Sequence, residues 1–259
     1  MKVLFIGDIV GKTGRLAVKS LLPLIINKYK IDIVIANGEN AAGGFGITEK
    51  VASELFNYGI HILTSGNHIW DKKESIPYIG KESRIIRPLN YPPGVPGFGS
   101  ITWAVRDKKI GIINLSGRVF MSNIDCPFRV GLSEIERLRE ETNIIIIDLH
   151  AEATSEKIAF GYYVDGKVSA VIGTHTHVQT ADEKILPGGT AYITDVGMTG
   201  PADSVIGIDK EQIIERFLLQ MPKKFETAKG GGIFSAVVIE IEDDSGKASA
   251  IKRLMLNYP

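Results

Sequence analysis

A single cysteine, Cys126, occurs in 259 residues. No intrachain disulfide can therefore form, no CxxC zinc motif exists, and the usage fits a reducing compartment. Excess charge of either sign is also missing. Thirty Lys and Arg balance thirty Asp and Glu, which removes the basic surface that holds nucleic acid through its phosphates. Stable nucleic-acid binding is not expected, whereas a small anionic ligand in a local site is compatible with neutrality. No apolar run approaches the roughly 20 residues of a membrane span. The first residues open directly on Val3-Leu4-Phe5-Ile6, without the length or cleavage site of a signal peptide. The expectation is a cytoplasmic protein with no membrane partner. Nothing repeats at a fixed period and no segment is low in complexity. With 44% hydrophobic and 23% charged residues, the length suits a single α/β domain spanning residues 1–259.

What is present is alternation. Short apolar runs at 3–6, 31–36, 60–64, 143–149 and 168–172 are separated by helix-period segments, the pattern of a largely parallel sheet covered by helices. The helix after the first strand contains Pro23, which predicts a kink or an early stop. Thr48 predicts an N-cap for a helix reaching about Tyr58, acting alone because Val51 stands where a reciprocal acid would. Asp71 with Glu74 predicts a capping box opening a short helix that ends near Pro77. Residues 101–105 and 110–115 read as a hairpin, and 117–131 as an irregular excursion that is either a substrate lid or a solvated loop. Helices are expected at 132–141, 153–163 and 210–219, and a closing hairpin at 233–242 and 248–256.

The chemistry sits where the strands stop. The segments that follow them carry Asp8, then Asn37-Gly38-Glu39-Asn40, then Gly66-Asn67-His68, then His150, then His175-Thr176-His177. In open α/β sheets, loops beyond the carboxyl ends of strands converge on the site, and these are residue types that bind catalytic metals. Taken singly, each has an ordinary reading: a turn-forming Asp, an Asn satisfying backbone groups, a core His. Two positions apart on extended chain, His175 and His177 share one face. Five strand ends together exceed what turn statistics supply. Rival motifs fail. The stretch Gly7 to Thr13 is one residue short of a P-loop, since Ile6 stands where its first glycine belongs. Lys12 and Arg15 then either approach a substrate phosphate or, more economically, form a solvated helix start. Gly44-Phe45-Gly46 lacks the third glycine of a dinucleotide fingerprint, no G-x-S-x-G elbow occurs, and Cys126 beside Pro127 reads as structural.

The order Asp … Glu-Asn … Gly-Asn-His … His … Gly-x-His-x-His resembles the calcineurin-like metallophosphoesterases. The match is closer to the YmdB-type phosphodiesterases, through Gly-Asp-Ile-Val-Gly (7–11), Asn-Gly-Glu-Asn (37–40), Gly-Asn-His-Ile-Trp-Asp (66–71), Asp-Leu-His-Ala-Glu (148–152), Gly-Thr-His-Thr-His-Val-Gln-Thr (173–180) and Thr-Asp-Val-Gly-Met-Thr-Gly-Pro (194–201). Val10 and Glu39 depart from the broad superfamily, which has His and Asp there, and Ile69 replaces the usual acid after Gly-Asn-His.

The resemblance implies a four-layer α/β/β/α sandwich with two metal ions. Glu39 would bridge them, Asp8, Asn40 and His177 would complete one site, and Asn67, His150 and His175 the other. It implies iron, with manganese as a working substitute and zinc less suited. It further implies hydrolysis of cyclic nucleotides, 2′,3′-cyclic AMP first and 3′,5′-cyclic AMP second, by in-line attack of a bridging hydroxide with His68 as general acid. Asp71 either orients His68 or, more economically, caps the following helix. A phosphomonoesterase or nuclease on the same centre is the alternative among enzymes. A regulatory protein that holds metal or cyclic nucleotide with little turnover is the alternative outside them. A homo-oligomer is the generic expectation.

Overall fold

The apolar run after Met1 forms β1 (Lys2–Ile6), and the chain continues through a two-residue strand, β2 (Asp8–Ile9), into helix α1 (Gly11–Tyr29). The structure is a computed structural model that describes all 259 residues. The alternation proceeds through β3 (Ile33–Asn37), α2 (Glu49–Asn57), β4 (Ile62–Thr64) and a 3-10 turn at Lys73–Ser75 that leads into α3 (Ile76–Ile79). A hairpin of β5 (Ser100–Val105) and β6 (Lys108–Ser116) precedes α4 (Pro127–Arg139), β7 (Ile145–His150), α5 (Thr154–Tyr163) and β8 (Ala170–Thr174). Then come β9 (Lys184–Ile185), β10 (Ala191–Ile193), β11 (Met198–Pro201), α6 (Lys210–Leu219), β12 (Gly232–Ile241) and β13 (Ala248–Tyr258).

Two sheets result. One is ordered β2-β11-β12-β1-β3-β4 with β13 paired to β12, the other β5-β6-β7-β8-β10-β9. Each has a parallel centre: β1–β3–β4 in the first, β6–β7–β8–β10 in the second. The closing hairpin adds antiparallel pairs, with β12 lying against β1 in register Leu4 to Val238.

Alternation along each strand sorts the core. Val3 and Phe5 join Ile110, Ile112, Ile144 and Ile146 from the other sheet in one buried cluster. Leu4 and Ile6 face the opposite way, onto Val18 and Leu22 of α1 and Leu55 of α2. Ile145 and Ile147 turn from the shared cluster toward Leu138 of α4 and Phe160 of α5. A period of two thus splits every central strand between two cores.

Several expectations need correction. Pro23 does not end α1, which runs on to Tyr29. The proline lies on the exposed face, so the carbonyl it leaves unpaired points to water. The helix expected at Asp71 does not form. The chain passes through a 3-10 turn, and Pro77 opens α3 rather than closing a helix, as its fixed φ and missing N–H allow. Helix α4 starts at Pro127 rather than 132, again with proline in the first turn. The excursion at 117–131 therefore reduces to a loop at 117–126. Strands β2, β9 and β11, of two to four residues, are too short to show a period. Thr48 does cap α2, its Oγ1 accepting from Val51 N at 3.3 Å. No helix is long and apolar enough to cross a membrane.

Candidate metal centre

The carboxyl ends of the parallel strands of both sheets meet. Asp8 follows β1, residues 37–40 end and follow β3, residues 66–68 follow β4, His150 ends β7, and residues 175–177 follow β8. Across the junction Glu39 Oε1 lies 3.0 Å from His150 Nε2, and Asp8 Oδ1 lies 3.6 Å from His177 Nε2. All eight residues singled out from the sequence, His68 among them, are brought together. Arg15 is not part of this group. Its guanidinium bonds Glu54 and the Ala41 carbonyl, which steadies the loop after Asn40.

The hydrogen-bond geometry identifies what the cluster is shaped for. Three lone-pair donors stand 3.0 Å from His150 Nε2: Glu39 Oε1, Asn67 Oδ1 and His175 Nδ1. One N–H can satisfy only one of them. The other ring nitrogen is already committed. His150 Nδ1 donates to Thr174 Oγ1 at 2.9 Å, and that hydroxyl donates to Asp148 Oδ1 at 2.7 Å. His177 Nδ1 donates to the Ile206 carbonyl at 2.8 Å, and His175 Nε2 lies 3.1 Å from Glu152 Oε2. Each imidazole thus uses its outer nitrogen on a protein acceptor and turns the inner one toward its neighbours, the arrangement that fixes tautomer and aim in metal-binding histidines. Glu39, His150 and His175 offer donor atoms within 4.8 Å of one another. Asp8 Oδ1 is fully buried with no hydrogen-bond partner, and a buried carboxylate oxygen left unpaired is costly unless a cation satisfies it. Asn40 turns its amide nitrogen toward His177 Nε2 at 3.2 Å, and a half-turn about χ2 presents the oxygen that a cation requires. The residues fit a metal.

The loop that carries two of the imidazoles is strained. His175 and His177 have φ of 96° and 65°, so they converge through left-handed backbone and not through extended alternation as the sequence implies. Such conformations cost on the order of 1–3 kcal/mol each and persist only where surroundings enforce them. The enforcing group is a buried ion pair. Lys157 Nζ donates to Asp195 Oδ2 at 2.8 Å and to the Thr174 carbonyl at 2.7 Å. The same carboxylate oxygen accepts from Thr176 N and Oγ1 at 3.0 and 2.7 Å. Gly66 is equally constrained, because an added Cβ would sit 2.2 Å from the His150 ring and 2.5 Å from Glu39 Oε2.

Of the supporting groups, Asp148, Glu152, Thr174 and Asp195 lie in the quoted motifs without an assigned role, and Lys157 lies outside them. Asp148 and Glu152 flank His150 by two residues and were open to notice on that ground. Lys157 on a helix carries no signal that it is buried.

His68 occupies the rim. Its Nδ1 pairs with Asp71 Oδ2 at 2.8 Å, its backbone N donates to Glu39 Oε2 at 3.0 Å, and Phe45 packs edge-on with centroids 5.1 Å apart. Asp71 therefore orients His68 instead of capping a helix, which corrects the more economical expectation. A cavity of about 250 Å³ is lined by Glu39, Asn40, Phe45, His68, His175 and His177 among others.

Charge in the cluster is set by burial against proximity. Burial opposes ionisation of Asp8 and Glu39, but His177 beside Asp8 and His150 beside Glu39 outweigh it and hold both carboxyls below their usual range. Burial likewise opposes His150, yet the charge and hydrogen bond of Glu39 push it up to about 9. Burial, followed by the charge of His150, drives His175 down to about 3. Without a cation, the His150 imidazolium supplies the positive charge. Metal uptake must then expel that proton, since the cation needs the neutral ring. At pH 7.5, below the His150 value, calorimetric titration of the metal-free protein with Mn²⁺ in buffers of different ionisation enthalpy is expected to report net proton release, with affinity rising toward pH 9. Binding with no proton release would contradict this electrostatic reading.

Residues 4–254 match the sequence profile of the YmdB-like protein family. The chain belongs to that family. It is 50% identical over 257 residues to the 2′,3′-cyclic-nucleotide 2′-phosphodiesterase of Bacillus subtilis strain 168, covering 99% of this chain and 97% of that one. A solved structure of a hypothetical protein from Thermus thermophilus shares 42% identity with this YmdB-like chain, with a TM-score of 0.94 and full coverage of both. A structure described as a novel phosphatase from Mycoplasma pneumoniae shares 36% identity with a TM-score of 0.95, covering 100% of this chain and 94% of that one.

Proposed function

We propose that this YmdB-like protein is a metal-dependent phosphodiesterase that hydrolyses cyclic nucleotides, 2′,3′-cyclic AMP foremost and 3′,5′-cyclic AMP second. The carrying observation is the convergence of lone pairs on His150 Nε2 beside the unpartnered Asp8 Oδ1. The name of the Bacillus subtilis relative supports the substrate class. The contacts divide naturally into two groups. Asp8 and Asn40 lie against His177, Asn67 and His175 against His150, and Glu39 reaches both through Asn40 and His150. Two ions, iron by resemblance and otherwise manganese, would be held by these groups with Glu39 shared; zinc is less suited. Bound there, they would polarise the phosphoryl oxygens and lower the pKa of a coordinated water. With only Asp8 and Glu39 anionic among the seven donors, two divalent cations leave net positive charge for an anionic diester.

The chain's own chemistry lies with His68. Its Nδ1–H is held by Asp71, so Nε2 is the nitrogen free to give a proton to the departing ribose O2′. That oxygen leaves poorly as an alkoxide, and a positioned acid is worth roughly 10²–10⁴-fold. Cleavage of the 2′ ester leaves the nucleoside 3′-phosphate, and the half-exposed ring takes a fresh proton from solvent. The three cores support a four-layer α/β/β/α sandwich forming one domain over residues 1–259.

A substrate panel tests the proposal. Manganese-loaded protein is expected to turn over 2′,3′-cyclic AMP and bis(p-nitrophenyl) phosphate, and to leave AMP and oligonucleotides largely intact. Turnover of monoesters or polymers in preference would replace the reading with a phosphatase or nuclease. No turnover of any of them by metal-replete protein would favour a regulatory binding protein.

A further inference from the structure

The loop at 117–126, between β6 and α4, displays Phe120 at 89% exposure with φ of 61°. Both features are unfavourable. A large aromatic side chain lies in water, and a non-glycine residue sits in the left-handed region. The loop is nevertheless tied at both ends. The buried Glu156 carboxylate accepts from the backbone N–H groups of Arg118 and Val119 at 3.1 to 3.2 Å. Asn90 Nδ2 joins the two ends, donating to the Asp125 carbonyl at 2.9 Å and to the Ser116 carbonyl at 2.8 Å. Phe120 is thus held out on an anchored segment.

What it faces decides the reading. Phe120, Met121 and Ser122 line a cavity of about 370 Å³ whose opposite wall is Asn67 and His175. His175 also lines the cavity that contains Glu39 and His68. Two cavities therefore meet at one imidazole of the metal cluster. The first is lined by carboxylate and imidazole groups, the second by no carboxylate, lysine or arginine. With cations held in the first as proposed above, a ligand that fills both has an anionic end and a flat, uncharged end a few bonds away.

We infer that Phe120 is the stacking platform for the nucleobase of the substrate, placing the base in the second cavity while the cyclic phosphate lies in the first. This rests on the phosphodiesterase reading above and deepens it to a specificity-determining residue. A base stacked on a ring recovers the area Phe120 exposes, and every base offers a π-face. The absence of cationic side chains in the second cavity argues for a mononucleotide, because a continuing strand would place a second phosphate there.

The test compares 2′,3′-cyclic AMP with glycerol 1,2-cyclic phosphate, which keeps the five-membered cyclic diester and lacks base and ribose ring. In Phe120→Ala the ratio of kcat/KM for the nucleotide to that for the glycerol diester is expected to fall roughly 5- to 150-fold, the range that base–aromatic stacking commands. The loss should lie in KM, as removal of uniform binding requires, and Phe120→Tyr or Phe120→Trp should restore the ratio. An unchanged ratio with wild-type turnover of both diesters overturns the platform and leaves the phosphodiesterase reading intact. A fall confined to kcat also overturns it. So does an unchanged ratio accompanied by a shift in sedimentation coefficient, which would mark Phe120 as the seat of a second copy. Failure of the wild-type protein to hydrolyse either diester removes the reading on which the platform rests, and the platform with it.

Discussion

His68→Ala is expected to lower kcat for 2′,3′-cyclic AMP by roughly 10²–10⁴-fold while the protein keeps its metals. The side chain is not among the converging donors; it stands on the rim, paired to Asp71 through Nδ1. Its loss removes a proton and leaves the cluster of Glu39, His150 and His175 complete. The leaving group makes the effect diagnostic. A ribose oxygen departs as a strongly basic alkoxide unless protonated, whereas nitrophenolate is a stable anion that needs no acid. Hydrolysis of bis(p-nitrophenyl) phosphate should therefore fall less than tenfold in the same variant. Asp71→Asn is the companion test. It keeps the ring but weakens the bond that aims Nε2, and should produce a smaller loss with the same leaving-group dependence. Equal losses on both substrates for His68→Ala would remove the acid role.

Glu39→Gln is expected to release metal, with an affinity loss exceeding the 10–100-fold typical of changes to groups that only support a ligand. Glu39 contacts His150 Nε2 with one oxygen and the His68 backbone with the other, so it ties the cluster to the segment that carries the acid. It is also the largest charge acting to raise His150. An amide in its place lowers the His150 pKa, which by itself eases proton competition for the ring. Net loss of metal in spite of that gain would mark the carboxylate charge as the decisive contribution. Metal analysis by inductively coupled plasma mass spectrometry after dialysis, compared with wild type, measures it. Two retained ions with normal turnover would sink the bridging assignment.

The donor set is legible in the sequence because each member follows directly on an apolar strand, where the fold class itself makes loops converge. Asp8 after β1 and His150 at the end of β7 are examples, far apart in the chain and 3.9 Å apart in the structure. What holds the donors is less legible. Lys157 reads as an ordinary helix-surface lysine, and only tertiary packing buries it against Asp195. The strained backbone at His175 and His177 has no local signature, since neither residue is glycine or asparagine. Asp71 shows one local rule losing to another. Its carboxylate fits a helix cap by spacing, yet His68 three residues earlier takes it. Pro23 and Pro127 show the same residue type misleading twice for different reasons, one harmless on an exposed helix face, the other a start signal mistaken for loop.

The most direct measurement is turnover of 2′,3′-cyclic AMP followed while Mn²⁺ is titrated into chelator-treated protein, with bound metal counted on the same samples. The expected result is negligible turnover by the metal-free protein, and activity that saturates as bound metal approaches two ions per chain. Full turnover by protein shown to be metal-free, or saturation with both positions empty, would contradict the assignment of Asp8, Glu39, Asn40, Asn67, His150, His175 and His177 to a catalytic metal centre.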